Sequence, residues 1–174
     1  MSENRFLSFI LTEGIILAVL AVALMILPKV TDISFGFVFC LVLIIYGGYK
    51  MIISFLSGNF ERYYFLNVVS AGILLLTGII MTVMPVIDMM IVASVIGIYF
   101  VLKTISVYSF LCQSENVINF PKTYYLLPSI YLFLGILLII FMPTLWIVGV
   151  FVGLSFLITG IMYINMYVAK KSGV

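Results

Sequence analysis

The chain of 174 residues contains no histidine and few charges of either sign. Without an imidazole it cannot build a Ser-His-Asp or Cys-His catalytic site, a metzincin-type zinc site or an imidazole pH sensor. Its two cysteines, Cys40 and Cys112, lie in or beside apolar runs far apart, which is typical of small hydrophobic side chains and not of a disulfide framework. We therefore expect no catalytic residues, no cofactor and no metal site.

Charge is also scarce, at 8% of residues with a net charge of +2, and no basic cluster is present. This excludes nucleic acid as a partner. What remains is apolar: 66% of the residues are hydrophobic and the mean hydropathy is +1.39. A soluble globular chain is closer to half apolar and a quarter charged, so the composition indicates an integral membrane protein.

Six apolar segments follow one another along the chain. Each is long enough for a helix of roughly 20 residues that crosses a bilayer. They cover about 6–27, 33–56, 63–84, 88–111, 124–142 and 145–169. Short connections at Pro28, Pro85 and Pro143 alternate with two longer polar ones, and proline is a natural corner for a tight hairpin. We predict an all-α membrane protein with six transmembrane helices in three two-helix hairpins.

The three prolines also mark an internal repeat, because they are spaced 57 and 58 residues apart. Small residues follow each proline at matching offsets, shifted by two in the third unit: Gly36, Cys40 and Gly47; Ala93, Gly97 and Thr104; Gly149, Gly153 and Gly160. We predict a single membrane domain over residues 1–174, with tandem repeats over about 8–56, 63–111 and 124–169.

These nine small residues are predicted helix-packing positions. Helices in lipid associate mainly by close van der Waals contact, and small side chains at spacings of four and seven open one helix face to a neighbour. We favour packing among the six helices of one chain over a dimerisation seam. The first segment contains an Ala-Val-Ala triplet like a signal-peptide cleavage site. We expect it to be retained, because Glu13 interrupts it and the helix continues past the triplet.

Lysine and arginine collect on the side of both termini and the two longer loops, whereas the hairpin turns carry only Lys29. The residues on that side are Arg5, Arg62, Lys122, Lys170 and Lys171. By the positive-inside rule both termini are cytoplasmic. The expected location is the plasma or inner membrane. The expected partners are the lipid bilayer and either further copies of this chain or other membrane proteins.

An apolar helix with a glycine, a proline turn and a second helix with spaced glycines recur in "GIILAVLAVALMILP", "GILLLTGIIMTVMP" and "LFLGILLIIFMPTLWIVGVFVGLSFLITGI". Over roughly residues 8–168 this pattern resembles the HdeD family, small six-helix bacterial membrane proteins built from a short repeat of unassigned function. The resemblance implies a non-enzymatic membrane protein and a link to acid or envelope stress resistance. It supplies no active-site residues.

The polar residues within the spans form a candidate polar layer near the cytoplasmic face: Glu13, Lys50, Asn67, Lys103 and Asn165. An ionisable group inside a membrane is a functional candidate. At this depth we expect the lysines to extend to the headgroups. Two roles for Glu13 stay open: an ion pair or hydrogen bond with Lys50 or Lys103 that fixes packing, or a protonatable group at a cytoplasmic vestibule.

Two functions also stay open. The first is a non-enzymatic protein of the HdeD type, and the second is a small transporter or channel with a pathway between the repeats or through an oligomer. Transporters often place proline- or glycine-broken helices at the midplane. Here the prolines lie at the turns, which favours the first function.

Overall fold

The computed structural model describes residues 3–30, 34–56, 62–84, 89–114, 125–141 and 144–171. Within these ranges the chain forms six α-helices. They are α1 (Glu3–Val30), α2 (Phe35–Leu56), α3 (Arg62–Val83), α4 (Met89–Ser114), α5 (Leu126–Phe141) and α6 (Leu145–Lys171). Each predicted apolar segment corresponds to one of these helices, so the all-helical prediction is confirmed.

The helices begin at recognisable signals. Ser34 precedes α2, and its carbonyl and side-chain oxygens both accept from the Phe37 amide, at 3.1 and 3.4 Å. Thr144 precedes α6, and its carbonyl accepts from the Val148 amide. Pro28 differs from its predicted place in a turn, because α1 continues through it to Val30. Proline has a φ compatible with a helix but removes a hydrogen bond to the preceding turn, and α1 ends two residues later.

Four helices contain stretches long and apolar enough to cross a membrane: Phe35–Phe55, Phe65–Val83, Met90–Ser109 and Leu145–Val168. The other two contain shorter apolar stretches, Leu11–Ile26 and Leu126–Phe141. Many side chains on the outer surface of the helix bundle are apolar, including Val19, Phe65, Phe133 and Phe141. A fold that buries polar groups and exposes aliphatic and aromatic ones is suited to lipid.

The helices pair in a way that the hairpin prediction does not state. The most extensive contacts are α1 with α6, α2 with α3 and α4 with α5. Those between α1 and α2, and between α3 and α4, are smaller, and α5 and α6 touch least of these pairs. Helices joined across the longer loops therefore pack more closely than helices joined by the short proline connections, and the first helix lies against the last.

Small residues make these three extensive contacts close, and we call them the close seams. Between α1 and α6, a Cβ on Gly160 would lie 2.8 Å from the Gly14 carbonyl oxygen. Between α2 and α3, a Cβ on Gly47 would lie 2.7 Å from the Leu75 nitrogen. Between α4 and α5, a Cβ on Gly97 would lie 2.9 Å from the Gly135 oxygen. Backbone at these distances leaves no room for a side chain.

The other predicted packing residues lie on or beside the same helices. The Cys40 carbonyl faces Gly78, and Ala93 is fully buried. Thr104 bonds to the Phe100 carbonyl of its own helix. Gly36 faces Leu145, Gly149 faces Phe35 and Gly153 faces Met25.

Candidate functional site: a charged centre inside the bundle

The buried charged side chains of the described residues are Glu13, Lys50 and Lys103, and we call these three the charged centre. They come from three different helices, α1, α2 and α4. Glu13 is 1% exposed, Lys50 5% and Lys103 3%. Charges so fully removed from solvent need partners, because desolvation of an ion in an apolar interior is strongly unfavourable.

Glu13 and Lys50 supply partners to each other. The Lys50 ammonium donates to Glu13 Oε1 as a salt bridge between α1 and α2. The Tyr46 hydroxyl, one turn before Lys50 on α2, donates to the same carboxylate oxygen at 3.4 Å. One carboxylate thus fastens α1 to two successive turns of α2, in a region where the two backbones make few close contacts.

Lys103 lies near the Glu13–Lys50 salt bridge. It is close enough for electrostatic interaction with both the Glu13 carboxylate and the Lys50 ammonium. The attraction to Glu13 and the repulsion from Lys50 act on it together. The charged centre therefore holds two lysine side chains and one glutamate side chain within a single buried region.

Four buried tyrosines are linked to Glu13 directly or through Tyr46, and we call them the tyrosine shell: Tyr46, Tyr99, Tyr131 and Tyr163. Tyr46 is within electrostatic range of the other three. Tyr99 and Tyr131 are each within range of Glu13. Two of these rings pack on phenylalanines: the ring centroid of Tyr46 lies 4.6 Å from that of Phe156, and the ring centroid of Tyr131 lies 5.8 Å from that of Phe100.

A second polar bridge joins α5 to α6. The Tyr131 hydroxyl shares a hydrogen bond with Thr159 Oγ1 and lies 3.3 Å from the Ser155 carbonyl oxygen. Thr159 in turn donates to that carbonyl at 2.6 Å. These two helices make little backbone contact, so side chains supply the connection, as they do between α1 and α2.

The polar groups on α2, α4 and α6 share a common register. Tyr46 and Lys103 each follow the proline of their unit by 18 residues, and Thr159 follows its proline by 16. That two-residue difference is the same shift that the small residues of the third unit show. All three side chains are buried. Three helices thus each place a polar side chain inside the bundle at a similar distance from a proline.

The candidate polar layer is only partly assembled. Glu13, Lys50 and Lys103 come together, and Asn67 is buried at 6% exposure on α3. Asn165 departs from the other four, because its side chain is exposed on α6. The expectation that the lysines reach the headgroups is wrong for both. Their side chains are directed into the bundle, because the Glu13 carboxylate offers an ionic partner there.

The tyrosine shell and Thr159 were not among the predicted site residues. A signal for them exists in the sequence, since Tyr46 and Tyr99 lie one turn before Lys50 and Lys103 on the same helix faces. Other hydroxyls are satisfied locally: Ser70, Thr77 and Thr82 each bond to the carbonyl four residues earlier. Three buried polar atoms have no hydrogen-bond partner among the described residues: Tyr49 OH, Asn67 Oδ1 and Ser106 Oγ.

In the described part of the chain, no three His, Cys, Asp or Glu side chains lie close enough together to hold a metal ion. Cys40 is buried and Cys112 exposed, and both are free thiols. Asp88, the acidic residue that follows Pro85 in the sequence, lies outside the described residues.

Comparison with protein families matches residues 12–83 to the family described as "Short repeat of unknown function (DUF308)". The matched segment begins beside Glu13 and ends with α3, so it includes the salt bridge to Lys50. No curated protein and no solved structure matches the chain. In residues 12–83 the chain is thus similar to a repeat to which no function is assigned, within an apolar, all-helical membrane protein.

Proposed function

We propose that the chain is a non-enzymatic, multi-pass membrane protein of the HdeD type, in which the charged centre holds the helices together. The observation that carries this is the Glu13–Lys50 salt bridge, buried where α1 meets α2. The match of residues 12–83 to the short repeat found in HdeD-like proteins supports the family. In this proposal the role in acid or envelope stress comes from the resemblance.

The arrangement that we propose has all six helices crossing the membrane as three tandem two-helix units. Three close seams support it, since in each the second helix of one unit packs on the first helix of the next, and α6 returns to α1. Equivalent glycines lie in two of the seams: Gly47 faces α3, and Gly160 faces α1. Units related in this way form a closed ring with approximate threefold symmetry.

The proposed membrane is the plasma or inner membrane, with both termini in the cytoplasm. The excess of lysine and arginine on the side of the termini supports this orientation. Single cysteines placed at position 2 and at position 31, in a chain with Cys40 and Cys112 replaced by serine, test it in intact cells. A membrane-impermeant thiol reagent should label position 31 alone. Labelling of position 2 alone would show the opposite orientation, with the termini outside the cell.

The second candidate is a small transporter or channel. The observation that favours it is a group of three buried charges and four buried hydroxyls at one place between the helices. Polar groups inside a membrane bundle mark ion and proton pathways in many transporters. Here they lie in a tightly packed region and two of the charges neutralise each other, which favours the structural role.

Reconstitution distinguishes the two candidates. Purified protein and the variant Glu13→Gln are placed in vesicles, and proton and halide fluxes are followed with entrapped dyes. We expect wild-type flux equal to that of empty vesicles, and for the variant a lower melting temperature with no change in flux. A pH-dependent flux that wild-type protein adds and Glu13→Gln abolishes would overturn the structural proposal in favour of transport.

A further inference from the structure

The charged centre is unbalanced. It contains two lysines and one glutamate, and no other charged side chain whose exposure the structure describes is buried. Lys50 is already paired with Glu13. With both lysines protonated, one unit of positive charge is left in an apolar interior, where a charge without a counter-ion is strongly disfavoured.

Two buried hydroxyls without a hydrogen-bond partner lie on the helices that carry the two lysines. The Tyr49 hydroxyl is buried without a partner and is within electrostatic range of Glu13 and Lys50. The Ser106 hydroxyl is also buried without a partner, one turn after Lys103 on α4. Tyr99 is buried one turn before Lys103. Buried donors without a partner are rare in folded proteins and call for an acceptor.

We propose that the charged centre binds one small monovalent anion of the halide class beside Lys103. An anion there would compensate the second ammonium and accept from neighbouring hydroxyls. The charge selects a monovalent ion, because a divalent one would leave a net negative charge. The rings inside the bundle are closely packed, with the centroids of Tyr46 and Phe156 4.6 Å apart, which favours a monatomic ion over a larger polyatomic one.

The site does not depend on either function proposed above. An ion that stays bound would serve as a structural counter-ion, and an exchanging ion would serve transport. Binding and flux are therefore measured separately, so that a failed flux assay does not bear on the site.

The test is a thermal-stability titration of the full chain in a non-ionic detergent. Sodium chloride or sodium bromide replaces sodium gluconate at constant ionic strength. We expect a saturable rise in the melting temperature of the wild type. In Lys103→Met the apparent halide affinity should fall by at least about tenfold, the loss expected for one charged hydrogen bond. In gluconate this variant should melt at or above the wild type, because the excess charge is gone.

The matched control is Lys171→Met, which removes an exposed lysine near the end of α6 and should leave the halide response unchanged. An equal response in Lys103→Met and wild type would overturn the proposal. So would a wild-type response that does not saturate, which would indicate a general salt effect and not a bound ion. Calorimetric titration of wild-type protein with bromide decides independently if Lys103→Met does not fold: no heat beyond dilution would contradict the site.

Discussion

Glu13 and Gly14 are neighbours on α1, yet they connect it to different helices by opposite means. Gly14 lies in the close seam with α6, where it is the absence of a side chain that brings the two backbones together. Glu13 reaches α2, where a charged side chain bridges helices whose backbones make fewer close contacts. Helices α5 and α6 are likewise joined by polar side chains, through the hydrogen bond between Tyr131 and Thr159.

The difference separates two contributions to membrane-protein stability. Close seams gain dispersion energy along a whole face, and they depend on shape alone. Polar bridges depend on a few polar atoms. In lipid these atoms would have no other hydrogen-bond or ionic partner, so the bridges determine which residues come into contact. In this chain the seams supply contact area, and the bridges set the position of α1 against α2 and of α5 against α6.

The largest effect is expected from breaking the ionic bridge. Glu13→Gln leaves two buried ammonium groups without a carboxylate, and removal of one partner of a buried pair costs about 3–5 kcal/mol. Lys50→Met should cost less, because Lys103 remains within electrostatic range of Glu13. Chemical denaturation in detergent measures both. Equal losses for the two variants would mean that Lys103 gives Glu13 no support.

An intermediate effect is expected in a close seam. Gly160→Ala places a methyl group 2.8 Å from the Gly14 carbonyl oxygen and 3.0 Å from the Ala18 nitrogen. Overpacking of this kind costs about 1–3 kcal/mol, since backbone has to move. Gly72→Ala is the matched control, because nothing lies within 4 Å of its Cβ position. The control should be neutral or slightly stabilising, by up to about 1 kcal/mol.

A loss in Gly72→Ala as large as in Gly160→Ala would contradict the seam. It would mean that any added methyl group disturbs these helices, whether or not a neighbouring backbone is close.

The smallest effect is expected at the neutral bridge. Tyr131→Phe removes the hydrogen bond to Thr159 and the contact with the Ser155 carbonyl, at a cost of about 0.5–1.5 kcal/mol. Tyr167→Phe, at a half-buried position near the end of α6, makes the same chemical change and should cost less, because its ring contact with Lys171 is kept. If the two substitutions have equal effects on the unfolding free energy, the α5–α6 bridge contributes nothing.

The helices were predictable from sequence because lipid imposes a strict rule: a spanning helix needs a long apolar run. That is why six apolar segments coincide with six helices to within a few residues. The spacing of Gly47, Gly97 and Gly160 also predicted a packing face. It did not say which neighbour each face meets, because a helix in a bundle has two flanking partners and the same small residues suit either.

The charged centre was harder to predict. Counting residues from the prolines placed Glu13, Lys50 and Lys103 at one level, and these three do lie together. The rotation of each helix about its axis determines whether a lysine side chain extends to the lipid headgroups or into the bundle. A helix that is apolar on all sides gives little information about this rotation. Asn165 shows the opposite outcome. It was predicted in the same polar layer, but its side chain is exposed on the outside of the bundle.

The account's central claim is that Glu13 and Lys50 act as a pair inside the bundle. A double-mutant cycle with Glu13→Gln, Lys50→Met and the combined variant tests this most directly, in gluconate so that no halide competes for the lysines. A coupling energy above about 1 kcal/mol, with the double variant losing less stability than the two single losses added together, is the predicted result. Additivity of the two losses to within about 0.5 kcal/mol would contradict the claim.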